Sequence, residues 1–107
     1  MMELLRYQQK DGKEPFTDWL LKMRDKVAQA RIRVRLRLLE AGNFGDCASV
    51  GEGVLELRVH VGPGYRVYCG RHGNAVVVLL SGGDKTSQLA DIKRAKILWT
   101  EWKRMQS

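Results

Sequence analysis

Val54-Leu55-Glu56-Leu57-Arg58-Val59-His60-Val61, then Gly62-Pro63-Gly64, then Tyr65-Arg66-Val67-Tyr68-Cys69 is the stretch whose reading decides the fold. Apolar and polar residues alternate up to the glycine–proline–glycine turn, which is the period of a strand with one apolar face. The chain then returns as a second strand. Arg71-His72-Gly73-Asn74 makes another turn, and Ala75 to Leu80 is an all-apolar run suited to a strand buried on both faces. Three strands joined by tight turns predict an antiparallel meander.

Working outward, Ser81 to Ser87 reads as a loop. From Leu89 onward Ile92, Ala95, Trp99 and Trp102 mark one face of a terminal amphipathic helix. On the other side, Gly42 to Gly53 is rich in glycine and reads as a loop. Before it, Arg31-Ile32-Arg33-Val34-Arg35-Leu36-Arg37-Leu38 alternates as a strand would. Taken as a helix from Val27 to Ala41, the same residues form two apolar stripes. Val27, Val34 and Leu38 form one; Ile32, Leu36 and Leu39 form the other. A helix lying between a sheet and a neighbouring helix needs two such stripes. Gly42 is a helix stop, and the helix reading is preferred, in part because the family resemblance described below implies it. Glu14-Pro15 opens an earlier helix, since proline suits a first turn, and it runs through Phe16, Trp19, Leu20 and Met23 to about Arg24–Lys26. Lys10 to Lys13 is a turn, and Met1 to Gln8 a short first strand. The order predicts one α+β domain over residues 1–107, an antiparallel sheet packed by two N-terminal helices and a C-terminal helix.

With 19 Lys and Arg against 12 Asp and Glu, the chain carries a formal charge of +7 and points to an anionic partner: nucleic acid, an acidic membrane surface or an acidic protein. No apolar run reaches the ~18 residues of a membrane span, so no membrane partner is expected. Met1 to Lys10 lacks the apolar run of a secretory signal, so Cys47 and Cys69 are expected as reduced thiols in a cytoplasmic protein, Cys69 in the core. His60 and His72 stand in no metal-ligand pattern, and neither metal nor cofactor is expected.

The period of two also sorts the polar side chains. Glu56, Arg58 and His60 point away from the apolar face of their strand, and Arg66 and Tyr68 share a face on the next. One open sheet surface is expected to collect all five. Cleaving RNA without a metal needs a base for the 2′-hydroxyl, an acid for the leaving 5′-oxygen and cations for the phosphate. Arg58 and Arg66 suit the last task, because a guanidinium matches two phosphate oxygens. His60, Glu56 and Tyr68 are the candidates for acid and base. Cross-strand ion pairs worth a few tenths of a kcal/mol are the plainer explanation of the same pattern. Lys85, after Gly82-Gly83-Asp84, adds a cation where glycines let backbone approach an anion, although the spacing is not that of a P-loop. The series Arg31, Arg33, Arg35 and Arg37 is expected as a solvated helix face, with contact of its arginines, Arg33 and Arg37 among them, to ribosomal RNA phosphates as the functional alternative.

Four segments together resemble a known family: Gly42-Asn43-Phe44-Gly45-Asp46; Val54-Leu55-Glu56-Leu57-Arg58; Gly62-Pro63-Gly64-Tyr65-Arg66-Val67-Tyr68; and Gly82-Gly83-Asp84-Lys85. They look like the addiction-module killer proteins, phage-derived HigB-type toxins of the RelE/ParE superfamily. The resemblance extends from about Tyr7 to Trp102. It implies a RelE-like fold and the toxin of a type II toxin–antitoxin system, an mRNA interferase that cuts messenger RNA on the ribosome and so inhibits translation. It further implies a cognate antitoxin, typically a HigA-like helix-turn-helix protein encoded nearby, through which the pair would reach its DNA operator. Arg58 and Arg66 stand where such nucleases grip phosphate, with Lys85 near a further basic position. The paired strand lysines and late catalytic tyrosine of RelE are not evident, which leaves Tyr68 or His60 to substitute. ParE-like members of the superfamily poison DNA gyrase without cutting RNA, and that is the alternative reading.

Overall fold

In the computed structural model, which describes Met1–Gln106, the elements run β1 (Glu3–Arg6), α1 (Pro15–Leu21), α2 (Lys26–Glu40), β2 (Cys47–Gly51), β3 (Val54–Val59), β4 (Tyr65–His72), β5 (Val76–Asp84), a 3-10 turn (Lys85–Ser87) and α3 (Gln88–Met105). The strands form one five-stranded sheet in the order β1-β5-β4-β3-β2. β5 pairs antiparallel with β4 and parallel with β1, in register from Glu3–Val76 to Arg6–Leu79.

The expected architecture needs correction. The sheet is mixed, because β5 is apolar on both faces and takes an interior position with a neighbour at each edge. β1 fills the second edge from the far end of the sequence, and a four-residue strand carries no signal of its direction. The two N-terminal helices are also not an equivalent pair of packing layers. The seven-residue α1 lies along β5, while the backbone of α2 makes its main approach to β3. A strand was missed as well: β2 lies inside the stretch read as a loop. It turns into β3 through Glu52 (φ 56°) and Gly53 (φ 84°), the two left-handed residues of a type I′ hairpin.

Local chemistry explains the helix limits. Pro15 opens α1 at a position where its missing N–H costs nothing. Asp25 caps α2 by accepting the Ala28 N–H at 3.0 Å. Gly42 (φ 90°) ends it, with Gly42 N–H donating to Leu39 O at 2.9 Å and Asn43 N–H to Leu38 O at 2.9 Å, a Schellman closure.

Both faces of the sheet are covered. On one, Phe16, Leu20, Ile32, Leu36 and Leu39 pack with Leu57, Val67, Cys69 and Leu79. On the other, Ala95, Leu98, Trp99 and Trp102 of α3 pack with Val54, Tyr68, Val78 and Leu80. Trp99 and Trp102 stack at 5.3 Å and 7°. Glycines seat the large rings. A Cβ on Gly70 would lie 2.3 Å from Trp99, and one on Gly82 would lie 2.2 Å from Trp19. Cys69 is buried and its thiol is pushed up to about 12 by burial. Among the described residues no helix is long and apolar enough to cross a membrane.

Candidate functional site

The expected open face of Glu56, Arg58, His60, Arg66 and Tyr68 divides into a buried part and an exposed part. The reason is α3, which lies over the inner half of that face. Tyr68 is fully buried against α3, and Glu56 retains 1% of its accessible surface. Both Glu56 oxygens are engaged. Oε2 accepts the Tyr68 hydroxyl at 3.1 Å and Gln88 Nε2–H at 2.8 Å, while Oε1 accepts Arg58 Nε–H at 3.3 Å. Arg66 Nε lies 3.7 Å from Oε2, an ion pair beyond hydrogen-bond range. Burial, then the neighbouring Glu56 charge, raises the Tyr68 pKa and holds its phenol protonated. Glu56 therefore organises two arginines from below, and neither it nor Tyr68 reaches the surface.

At the outer end of the same face the chain leaves β3, and His60 stands just beyond the strand, 75% exposed. A shallow groove is lined there by His60, the Gly62–Gly64 turn, Arg66 and Lys85. Gly62 (φ 56°) and Gly64 (φ 85°) shape the turn, and Lys85 N–H donates to Gly64 O at 3.2 Å, tying the start of the 3-10 turn to it. Arg66 runs from the buried carboxylate out to this groove. Arg58, 40% exposed, lies beside it on β3 and is paired by register with Arg66.

Three participants were not legible in the sequence. Asp46 accepts a hydrogen bond from His60 Nε2 and lies 3.7 Å from Arg58 Nη1. The His60 bond, more than the Arg58 and Arg35 charges, holds the Asp46 carboxyl below the usual range. Arg35 does not belong to the solvated series on α2. It donates to the carbonyls of Arg58, Phe44 (2.8 Å) and Asp46 (3.2 Å), and so fixes the loop that presents Asp46. Gln88 reaches Glu56 from the first residue of α3. Asp46, directly after Gly45, gives a local hint; the other contacts depend on how β2 and α3 pack.

Two expectations about cations change. Gly82 and Gly83 lie within β5, and the space a side chain would fill at them is taken by Trp19 and Asp91, so they seat side chains and do not cradle an anion. Arg33 and Arg37 are exposed on α2, on the opposite side of the sheet from Glu56 and Tyr68, and do not join the groove. A larger cavity, between Lys10 and Arg104, contains the Tyr7 hydroxyl donating to Glu101 and lies apart from this cluster.

No protein-family model matches the sequence. An uncharacterized protein of Haemophilus influenzae is 48% identical over 86 residues, covering 80% of this chain and 87% of that protein. The chain belongs to the same family as that Haemophilus influenzae protein.

Proposed function

We propose that this chain is the toxin of a type II toxin–antitoxin pair, an endoribonuclease that cuts messenger RNA on the ribosome in the cytoplasm and is neutralised by a cognate antitoxin. The observation that carries the reading is the convergence of His60, Arg66 and Lys85 on one groove, with Arg58 alongside. Support for the partner and the ribosome comes from the sequence resemblance to addiction-module killer proteins.

Within this reading the residues of the groove take the following roles. In the neutral tautomer that donates Nε2–H to Asp46, His60 presents its lone pair on Nδ1, as a base at the 2′-hydroxyl requires. The 2′-oxygen attacks phosphorus, and the bond to the 5′-oxygen breaks, leaving a cyclic phosphate. Water, or a His60 that has taken the proton, protonates the departing oxygen. Arg66 and Lys85 hold the phosphate as its charge grows, and Arg58 extends the basic track along β3. Glu56 and Tyr68 serve beneath, fixing the guanidiniums.

Mapping RNA 5′ ends after a pulse of expression tests this, with His60→Ala as control. New ends within ribosome-bound messages, absent in the variant, are expected. Growth arrest with intact messages would overturn the reading. A supercoiling defect in purified gyrase would assign the chain to the gyrase-poisoning class.

A further inference from the structure

The second apolar stripe of α2 has nothing over it. Val27, Ala30, Val34 and Leu38 recur at intervals of three and four residues, on the side of the helix away from Ile32, Leu36 and Leu39. The inner stripe is in the core, but Val27 is 63% exposed, Val34 44% and Leu38 41%. Lys26, Val27, Ala30, Arg31 and Val34 together line a shallow depression. The sequence pattern suits a helix covered on two sides, and this fold covers one.

We infer that the outer face of α2 is the docking surface for an acidic amphipathic helix of a partner protein. The charges beside the stripe select that occupant. Arg31 borders it on one edge, and Lys26, Arg33 and Arg37 on the other, all exposed. Among the described residues Arg31, Arg33 and Arg37 have no ion-pair partner. A narrow apolar seam with three cations along one edge and Arg31 on the other is the complement of a helix with leucine-like residues at the same spacing and glutamates on its shoulders. A second copy of this chain fits poorly, because paired α2 helices would set arginine rows together in a molecule of charge +7. A membrane surface fits less well, since the stripe carries no aromatic residue for the interface. The surface is separate from the His60 groove, and the inference does not rest on the nuclease reading.

The test uses the full chain and a designed helical peptide of ~18 residues, with leucines at seam spacing flanked by glutamates. Lysine-flanked and scrambled peptides are the controls. Titration followed by fluorescence anisotropy is expected to show binding of the glutamate peptide alone. Val34→Glu/Leu38→Glu and Arg33→Glu/Arg37→Glu should each weaken it by about tenfold or more with the melting temperature retained, whereas His60→Ala leaves it unchanged. Equal binding of the lysine peptide, or affinity unchanged in both double variants, overturns the inference. So does a dimer in sedimentation that Val34→Glu/Leu38→Glu abolishes, which assigns the face to self-association. Capture by phosphatidylglycerol vesicles that the same variant abolishes overturns it in favour of a membrane.

Discussion

Replacing Gly70 by alanine tests the packing that covers the inner half of the candidate site. Gly70 has no positive φ, so alanine is compatible with its backbone and the whole effect comes from space. The new Cβ would lie 2.3, 2.4 and 2.5 Å from Cε3, Cδ2 and Cζ3 of Trp99, against an ordinary carbon contact of ~3.5 Å or more. The indole would have to retreat by roughly 1 Å. It has little room to do so, since it stacks on Trp102 at 5.3 Å and its Nε1 comes within 2.8 Å of where a Cβ on Gly53 would lie. Overpacking of this kind costs about 1–3 kcal/mol, and the blocked retreat argues for the upper half of that range. For a domain of this size that lowers Tm by roughly 10–20 °C. Urea denaturation of Gly70→Ala, Trp99→Leu and the double variant measures it. The glycine substitution should cost at least ~1 kcal/mol less in the Trp99→Leu background, where the ring is gone. A single variant within about 0.5 kcal/mol of the parent, or strict additivity in the cycle, would refute the seating of Trp99 on Gly70.

Further outcomes are open to measurement. On the proposed toxin function, Lys85→Ala is expected to relieve the growth arrest that function predicts while changing stability by no more than about 0.5 kcal/mol, because Lys85 is exposed; unaltered arrest would remove it from the groove's work. Tyr68 ionises less readily folded than unfolded, so its share of stability is complete below pH ~10 and declines as pH rises above that. Tyr68→Phe should therefore cost about 1 kcal/mol near neutrality, from the lost bond to Glu56, yet show a shallower alkaline decline in urea titrations. Asp46 has the opposite sign: its lowered carboxyl supports the fold above the normal carboxylate pKa and loses that support as pH falls through the lowered value. Asp46→Asn should flatten the acid limb of the stability curve, and an unchanged limb would count against the His60 pairing. Asp25→Ala removes the cap of α2 and should lower stability by ~1 kcal/mol, measured by thermal unfolding.

The sequence by itself determined the elements whose signal is local. The turn at Gly62–Gly64, the alternation through Arg58, the helix stop at Gly42 and the face of the last helix depend only on backbone preference and periodicity, and those elements stand at or near their expected residues. It also named Arg66, by strand parity, and Lys85, by its place after Gly82-Gly83-Asp84, but only the fold set the two along one groove. Tertiary structure decided the rest. The parallel pairing of β1 with β5, the edge strand β2 and the choice of what covers each face depend on contacts between distant segments, which no local pattern encodes. Parity placed Glu56 and Tyr68 on the same face as Arg66, but only the packing of α3 over that face turned them from surface groups into a buried support. His60 stayed at the surface because β3 ends one residue before it, and Asp46 reached it because the β2–β3 pairing carried the preceding loop alongside.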